Sequence, residues 1–365
     1  LASGARVVFL ETVSSSALLS ALATRGITIL ACVPQFFYLI HQRVTTEVAR
    51  GGALRKGLFR LLVAGNVWLR NRLGWNPGRR VFARVHRVLG HRIRVLVTGG
   101  SRFDETIARD LYGMGFTVLN AYGLTETSGG ATMMRTGDRF TTSVGRPFPG
   151  VDVRIDAPSS GEDGHLDGEI LIRGPIVMRE YYRRPDATAE AIRGGWLYTG
   201  DLGRLDADGR LYITGRRKEM IVLSSGKNLY PEEIETHYRQ ASIVKELCVL
   251  GLARPGQPSA ERLHAVIVPD EDAMRLRGVV NVGELVRFEL ESLAVQLPAH
   301  KRVLSYDIWT EPLPRTTTGK IRRHEVQRRV LEQAARDAAP TEARALSAEE
   351  TAWLGDAVRA SLLED

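Results

Sequence analysis

The sequence predicts an α/β protein: a parallel sheet with helices, an antiparallel region, then a smaller α+β unit. Three observations lead there. Up to Asn120, apolar runs of four or five residues alternate with helix-period patterns. From Val151 to Thr214 the pattern changes to short strands separated by Gly and Asp turns. After Arg217, strand and helix signals alternate again on a smaller scale. At 365 residues the chain is long enough for two domains.

The elements follow in order. VVFL, ITILACV, IRVLVTGG and FTVLN read as strands. Between the last two, 104-DETIARDLYGMG-115 reads as a helix opened by an acidic cap and closed by glycine. Strand, helix and strand within about thirty residues make a βαβ unit, which implies parallel pairing. VDVRI, GEILIRG, GWLYTGD and GRLYITG supply the antiparallel strands. EMIVLSSG reads as strand and turn, and PEEIETHYRQ as a helix with Pro231 in its first turn. IVKELCVLGL and LHAVIVP are strands, and VGELVRFELESLAVQL is a helix. A basic helix runs from Lys320 to about Ala335. An Ala/Pro-rich linker and a last helix follow, the latter announced by Ser347 and Glu350 as a capping box. The expected division is 1–216, 217–335 and 336–365, the last a packed extension or the start of a further domain.

With 44% hydrophobic and 25% charged residues, a disordered or fibrous chain is excluded. No apolar run reaches the ~18–20 residues that span a bilayer, and no signal peptide is expected. Cys32 and Cys248 stand far apart in apolar runs and read as core residues of a cytoplasmic protein. The net charge is +8 and the pI about 9.7, yet no nucleic-acid motif accompanies it, so no nucleic-acid partner is expected. Basic residues are densest from Arg55 to Arg94, mixed with Leu, Val, Phe and Trp. That pattern suits a helix touching anionic lipid, peripheral to a membrane. A solvated helix face beside the core is the more common explanation of such a run. The eight histidines show no ligand spacing with Cys or carboxylates, and surface or core positions are expected. The first residue is Leu1 rather than Met, close to a folded-looking stretch, so a piece of a longer protein is expected.

Loops after parallel strands are where open α/β sheets bind ligands. Two qualify: Thr98 to Ser101 (TGGS) after IRVLV, and YGLTETSGG after FTVLN. Gly99 and Gly100 admit a flat ring close to the backbone. Tyr122, beside Gly123, offers an aromatic face. Thr125 offers a hydroxyl to a phosphate oxygen, and Glu126 is a hard oxygen ligand suited to magnesium. Read alone, the second loop is as well explained as a Gly-rich turn with capping Thr and Glu.

Three ordered segments decide between these readings. YGLTETS, the long run 196-WLYTGDLGRLDADGRLYITGRRKEMIVLSSGKNLYPEEIE-235 and 314-PRTTTGK-320 together resemble the adenylate-forming superfamily over about Gly4 to Val330. EILIRGPIVMREYYRRPDATAEAI and ITGRRKEMIVLSSGKNLYPEEIE look most like its long-chain fatty acyl-CoA synthetases. The resemblance implies the remainder of a large N-terminal domain followed by a small mobile lid domain. It implies ATP, AMP, Mg2+ and coenzyme A as cofactors. The reaction implied is activation of a fatty acid to its adenylate and transfer to the CoA thiol. A carrier-protein phosphopantetheine as acceptor, and a non-catalytic nucleotide-binding fragment, remain as alternatives.

By the same resemblance Gly99, Gly100 and Ser101 line the adenine pocket, although relatives more often carry alanine at the third position. Tyr122 stacks on adenine, Thr125 meets the α-phosphate and Glu126 holds magnesium. Asp201 accepts from the ribose hydroxyls, as a carboxylate can, and Arg216 binds the ribose and phosphate side. Lys218 matches the pivot of the small domain, and Ser225 and Gly226 match the pantetheine path. Lys320 matches the catalytic lysine of adenylation. Neither TTTGK nor SSGK is a P-loop, because the leading glycine and the Ser/Thr after lysine are both missing. The superfamily's own Ser/Thr/Gly-rich phosphate loop has no match in this sequence and is expected upstream of Leu1.

Overall fold

A computed structural model describes residues 4–10, 15–101, 103–139, 142–160, 166–223, 227–241, 243–254, 257–270, 274, 281–316 and 320–338. The chain forms two compact units. The first is Leu1–Ile221 with Asn228–Thr236, and the second is Val222–Lys227 with His237–Asp365.

In the first unit, β1 (Ile29–Cys32), β2 (Val95–Thr98) and β3 (Thr117–Tyr122) are parallel. Their register sets Cys32 beside Thr98 and Thr98 beside Asn120, so β1 and β2 finish level and β3 runs two residues further. β4 (Thr132–Met133) and β5 (Arg146–Pro147) extend the sheet antiparallel beyond β3. The helices are α1 (Ser15–Thr24), α2 (Pro34–Ala49), α3 (Gly52–Leu73), α4 (Gly78–Val81), α5 (Ala83–Leu89) and α6 (Glu105–Gly113). α6 joins β2 to β3 as the βαβ signal required. Its cap is the expected one: the Asp104 carboxylate accepts from the Ile107 N–H at 2.9 Å, worth about 1 kcal/mol.

α2, α3 and α6 bury Phe37, Val63, Val67 and Leu111 in one core with Ile93 and Phe116. The close approach of α3 to α6 needs glycine, since a Cβ on Gly113 would lie 2.6 Å from Val63. Polar groups fix the same contact. Asn66 Nδ2 donates to Gly113 O at 2.7 Å, and Arg70 donates to Phe116 O at 2.9 Å with its guanidinium over the Tyr112 ring.

VVFL does not form the expected strand. Residues 4–10 take no regular structure, and Phe9 is 86% exposed. An apolar run becomes a strand only where a neighbour accepts its hydrogen bonds, and none pairs with it among the described residues.

The second sheet of this unit is antiparallel, as expected, in the order β10–β9–β7–β6. Its strands are β6 (Asp152–Ser160), β7 (Leu166–Arg173), β8 (Ile192–Arg193), β9 (Trp196–Leu205) and β10 (Leu211–Arg216), with β8 beside β9. β7 is central, and Ile170, Leu171 and Ile172 are all fully buried, so the run is apolar without alternation. α7 (Pro185–Ala191) precedes β8. The chain changes unit within β11 (Ile221–Val222), before β12 (Asn228–Leu229), and again within α8 (Pro231–Tyr238).

The second unit pairs β13 (Val244–Arg254) antiparallel with β14 (Gln257–Pro269), and β15 (Tyr306–Ile308) parallel with β14. Cys248, Leu250 and Leu252 alternate along β13 into one core with Val266 and Val268. Val326 and Val330, four apart on α10 (Arg323–Ala338), close it. α9 (Val282–Ala294) is capped by Asn281. The expected linker and the Ser347/Glu350 helix lie outside the described residues beyond Ala338.

His86 and His264 are core histidines, as expected. Sequence spacing did not show that the fold brings His41 to Asp110 at 2.7 Å, or His264 to Asp307 at 3.3 Å.

Candidate active site

The site gathers where β2 and β3 end. Gly99, Gly100 and Ser101 follow β2, and Gly123 follows Tyr122, the last residue of β3. Together with Cys32, Thr98 and Ala121, Gly99, Gly100, Tyr122 and Gly123 line a cleft of about 300 Å³. That is the lower end of ligand-pocket sizes. Ser101 lies just beyond it, exposed. A side chain at position 99 would bring its Cβ to 2.9 Å from Ala121 O, so the cleft wall there must be glycine. Thr98 lines the same cleft, and its hydroxyl is buried without a hydrogen-bond partner among the described residues.

The second loop closes on itself. A Cβ on Gly123 would lie 2.5 Å from Gly130 Cα, and Gly129 N donates to Leu124 O at 2.9 Å. Thr127 is fully buried, and its hydroxyl holds both Leu124 N and Leu124 O. So Thr127 and the glycines shape the turn, leaving Thr125 exposed and Glu126 half-buried in a single helical turn, Thr125–Thr127. The Glu126 carboxylate accepts from the Tyr181 hydroxyl at 2.8 Å. Burial and this bond push the Tyr181 phenol up to about 12, so it stays a donor. Nothing in the sequence marked Tyr181; it lies 55 residues from Glu126.

Tyr122 leads from the cleft to Asp201. Its hydroxyl donates to Asp201 Oδ2 at 2.7 Å. Burial, then the Asp201 carboxylate, hold the phenol protonated well above its usual range. Asp201 sits on β9, 2% exposed, directly across from Arg216 on β10. Arg216 Nε meets Asp201 Oδ1 at 2.7 Å. Burial works to lower the Arg216 pKa, and the carboxylates of Asp201, Glu219 and Glu232 outweigh it. The Thr199 hydroxyl accepts from Asp201 N at 3.1 Å and donates to Ile170 O at 2.7 Å, so a short chain of bonds orients this residue. Each oxygen of the carboxylate therefore has at least one donor.

Lys218 is exposed in the turn Arg217–Glu219 after β10. Glu169 on β7 holds the approach to that turn, accepting from Gly200 N at 3.0 Å and pairing with Arg217 at 3.1 Å; sequence reading missed it. Ser225 and Gly226 lie outside the described residues. Lys320 belongs to the second unit, exposed, its N–H donating to Thr316 Oγ1 at 3.1 Å. The bridge between Arg315 and Ile321 brackets the loop that carries it. Among the described residues no three His, Cys, Asp or Glu side chains gather as a metal cluster.

Comparison with known proteins gives the family of the chain. Two family profiles match: AMP-binding enzyme over residues 1–182 and AMP-binding enzyme C-terminal domain over 218–334. The long-chain-fatty-acid–CoA ligase FadD15 of Mycobacterium bovis is 34% identical over 250 residues, 65% of this chain and 40% of that protein. The indoleacetate–CoA ligase of Aromatoleum aromaticum is 34% identical over 245 residues, 65% of this chain and 45% of its own length. The chain thus spans less than half of these relatives. Among solved structures, the o-succinylbenzoate coenzyme A synthetase of Bacillus subtilis with ATP and magnesium shares the fold with a TM-score of 0.59. It is 24% identical, and the match covers 86% of this chain and 54% of that one. The chain belongs to the AMP-binding enzymes.

Proposed function

We propose that the protein carrying this chain is an ATP-dependent long-chain fatty acid–CoA ligase. The observation that carries the reading is the Tyr122–Asp201–Arg216 chain of contacts beside the glycine-walled cleft. It offers a purine slot, a carboxylate for vicinal hydroxyls and a cation, in the order an adenylate needs. Similarity to the fatty-acid ligases supports the acid as substrate. Other relatives carry the names of indoleacetate, 2-succinylbenzoate and feruloyl acids, so chain length is the finer part of the reading.

The residues divide the work. Tyr122 stacks on adenine, and Gly99, Gly100 and Ser101 form the pocket wall. Asp201 accepts from the ribose and Arg216 answers the phosphate side. Thr125 donates to the α-phosphate and Glu126 is the carboxylate for magnesium. Magnesium, when bound, neutralises the phosphate oxygens. Lys320 places an ammonium where two anions, the fatty carboxylate and the α-phosphate, must meet, offsetting their repulsion as charge moves. Residues 217–335 act as the mobile domain, with the pivot at Lys218. Ser225 and Gly226 border the pantetheine path for the second half-reaction. The partners are fatty acid, ATP and CoA; a carrier-protein phosphopantetheine presents the same thiol, and a membrane surface is the source of the acid.

The test uses the full-length gene product with palmitate, ATP and CoA, reading pyrophosphate and acyl-CoA. Lys320→Ala should slow adenylation by about 100-fold or more while thiol transfer from supplied acyl-adenylate persists. Undiminished adenylation contradicts the assignment of Lys320.

A further inference from the structure

Side chains alternate along β13, and Cys248, Leu250 and Leu252 face the core of the second unit. Glu246 stands two residues before Cys248 in the same row, and its side chain is 13% exposed. The register with β14 slips between Val244 and Glu246, a bulge that bends the strand at this point. Burying a carboxylate at the end of an apolar row costs free energy unless it is bonded. Oε2 of Glu246 accepts from Leu313 N at 3.1 Å and meets Arg315 Nη2 at 3.0 Å. Leu313 is buried in the same core, 67 residues further along the chain. Both partners lead into the loop that carries Lys320. Across the base of that loop Arg315 bridges to Ile321, Thr316 N donates to Lys320 O at 2.8 Å, and Arg322 N donates to Pro314 O at 2.8 Å. On its far side Arg323, on α10, donates to Val249 O at 2.7 Å. Both flanks of the loop are thus tied to β13.

We propose that Glu246 is a positioning residue for Lys320, resting on the adenylation role proposed for that lysine. Lys320 is exposed. A flexible four-carbon side chain at such a position is placed by the base of its loop, not by packing of its own. One oxygen of Glu246 fixes the Leu313 amide and the Arg315 guanidinium together, and a charge-assisted bond of this kind is the stronger sort. Through the bridge to Ile321 and the bonds between Thr316 and Lys320, the same oxygen sets where the lysine side chain starts. A displacement of about 1 Å in a catalytic group can cost about 100-fold in rate. Loosening the base of the loop therefore reaches the chemistry without touching the substrate. A pair that only stabilised the second unit would matter to both half-reactions, whereas Lys320 serves adenylation alone.

The test uses the full-length gene product. Glu246→Gln keeps an acceptor for Leu313 N and removes the charge that faces Arg315. It should lower kcat for adenylation of palmitate by about tenfold. The KM for ATP, thiol transfer from supplied acyl-adenylate and the melting temperature should stay as in the wild type. In a Lys320→Ala background the same substitution should change adenylation no further, because it acts through that lysine. A second readout is independent of activity. Hydrogen exchange of the Leu313 and Lys320 amides should quicken about tenfold in Glu246→Gln. Adenylation at the wild-type rate, equal losses in both half-reactions, or a second tenfold loss on top of Lys320→Ala would each overturn the proposal. Unchanged exchange at both amides would overturn it as well. Undiminished adenylation in Lys320→Ala, with exchange quickened in Glu246→Gln, is a distinct result: it sinks the role of the lysine and leaves the tie in place.

Discussion

The hydroxyl of Tyr122 donates to Asp201 across 79 residues of sequence, at 2.7 Å. It joins the end of the parallel sheet to the antiparallel sheet of the same unit. The Tyr122 hydroxyl on one oxygen and Arg216 on the other aim the Asp201 carboxylate. Tyr122→Phe removes one of them and should cost about 1–2 kcal/mol of stability, weakening adenylate binding about tenfold. Asp201→Asn leaves Arg216 without its facing charge and should cost about 2 kcal/mol. Thermal unfolding beside binding of a non-hydrolysable acyl-adenylate separates the two effects; a phenylalanine variant that binds as the wild type does contradicts the role.

Glu126 is held by Tyr181 at 2.8 Å. A hydrogen bond of that kind fixes the direction of a metal-binding carboxylate, and its loss typically costs about 10–100-fold in metal affinity. Tyr181→Phe should raise the magnesium concentration needed for half-maximal adenylation by about tenfold, with little change in unfolding temperature. The same midpoint in both proteins would show that Tyr181 only packs.

Stability should depend on pH through His86. Its ring lies 4.1 Å from that of Phe116, and Nε2 bonds to Met114 O at 2.8 Å. Burial lowers its pKa below 6.5, and nearby Arg79 adds to this. The unfolded chain therefore takes up the proton first as pH falls. The neutral ring's contribution is present above pH 6.5 and is lost progressively below it. Melting temperature measured from pH 8 to pH 5.5 should fall, and His86→Gln should be less stable at pH 8 but flatter. A variant with the wild-type slope would assign the loss to other groups.

Cys32 lines the cleft, and burial pushes its thiol up to about 12. At pH 7 that leaves a thiolate fraction of about 10⁻⁵. Alkylation followed by mass spectrometry should run more than about a hundredfold slower than for the unfolded chain. Rapid labelling of the folded protein would mean that the cleft wall is open there.

The parallel unit was legible because its signals are local: Asp104 caps within three residues, and the strand ends are marked by glycines. The loop Tyr122–Gly130 was legible as a site only in part. Sequence showed Thr125, Glu126 and the glycines but could not separate shaping residues from presenting ones. Packing did that, by burying Thr127 and leaving Thr125 exposed. Tyr181 and Glu169 were not legible, because their partners lie 55 and 31 residues away and no spacing rule links them. VVFL failed for the opposite reason: its composition suits a strand, but pairing is a property of a neighbour. On α3 the basic and apolar residues were visible, but which apolar residues faced the core became clear only once α2 and α6 had taken one side.

The central claim is that the cleft beside Tyr122 and Asp201 receives an adenylate. Titration of the full-length gene product with a long-chain acyl-sulfamoyl adenosine, followed by calorimetry, tests it most directly. Tight binding in the wild type, weakened about a hundredfold in Asp201→Ala with folding intact, is the predicted result. Equal affinity in the two proteins would contradict the account.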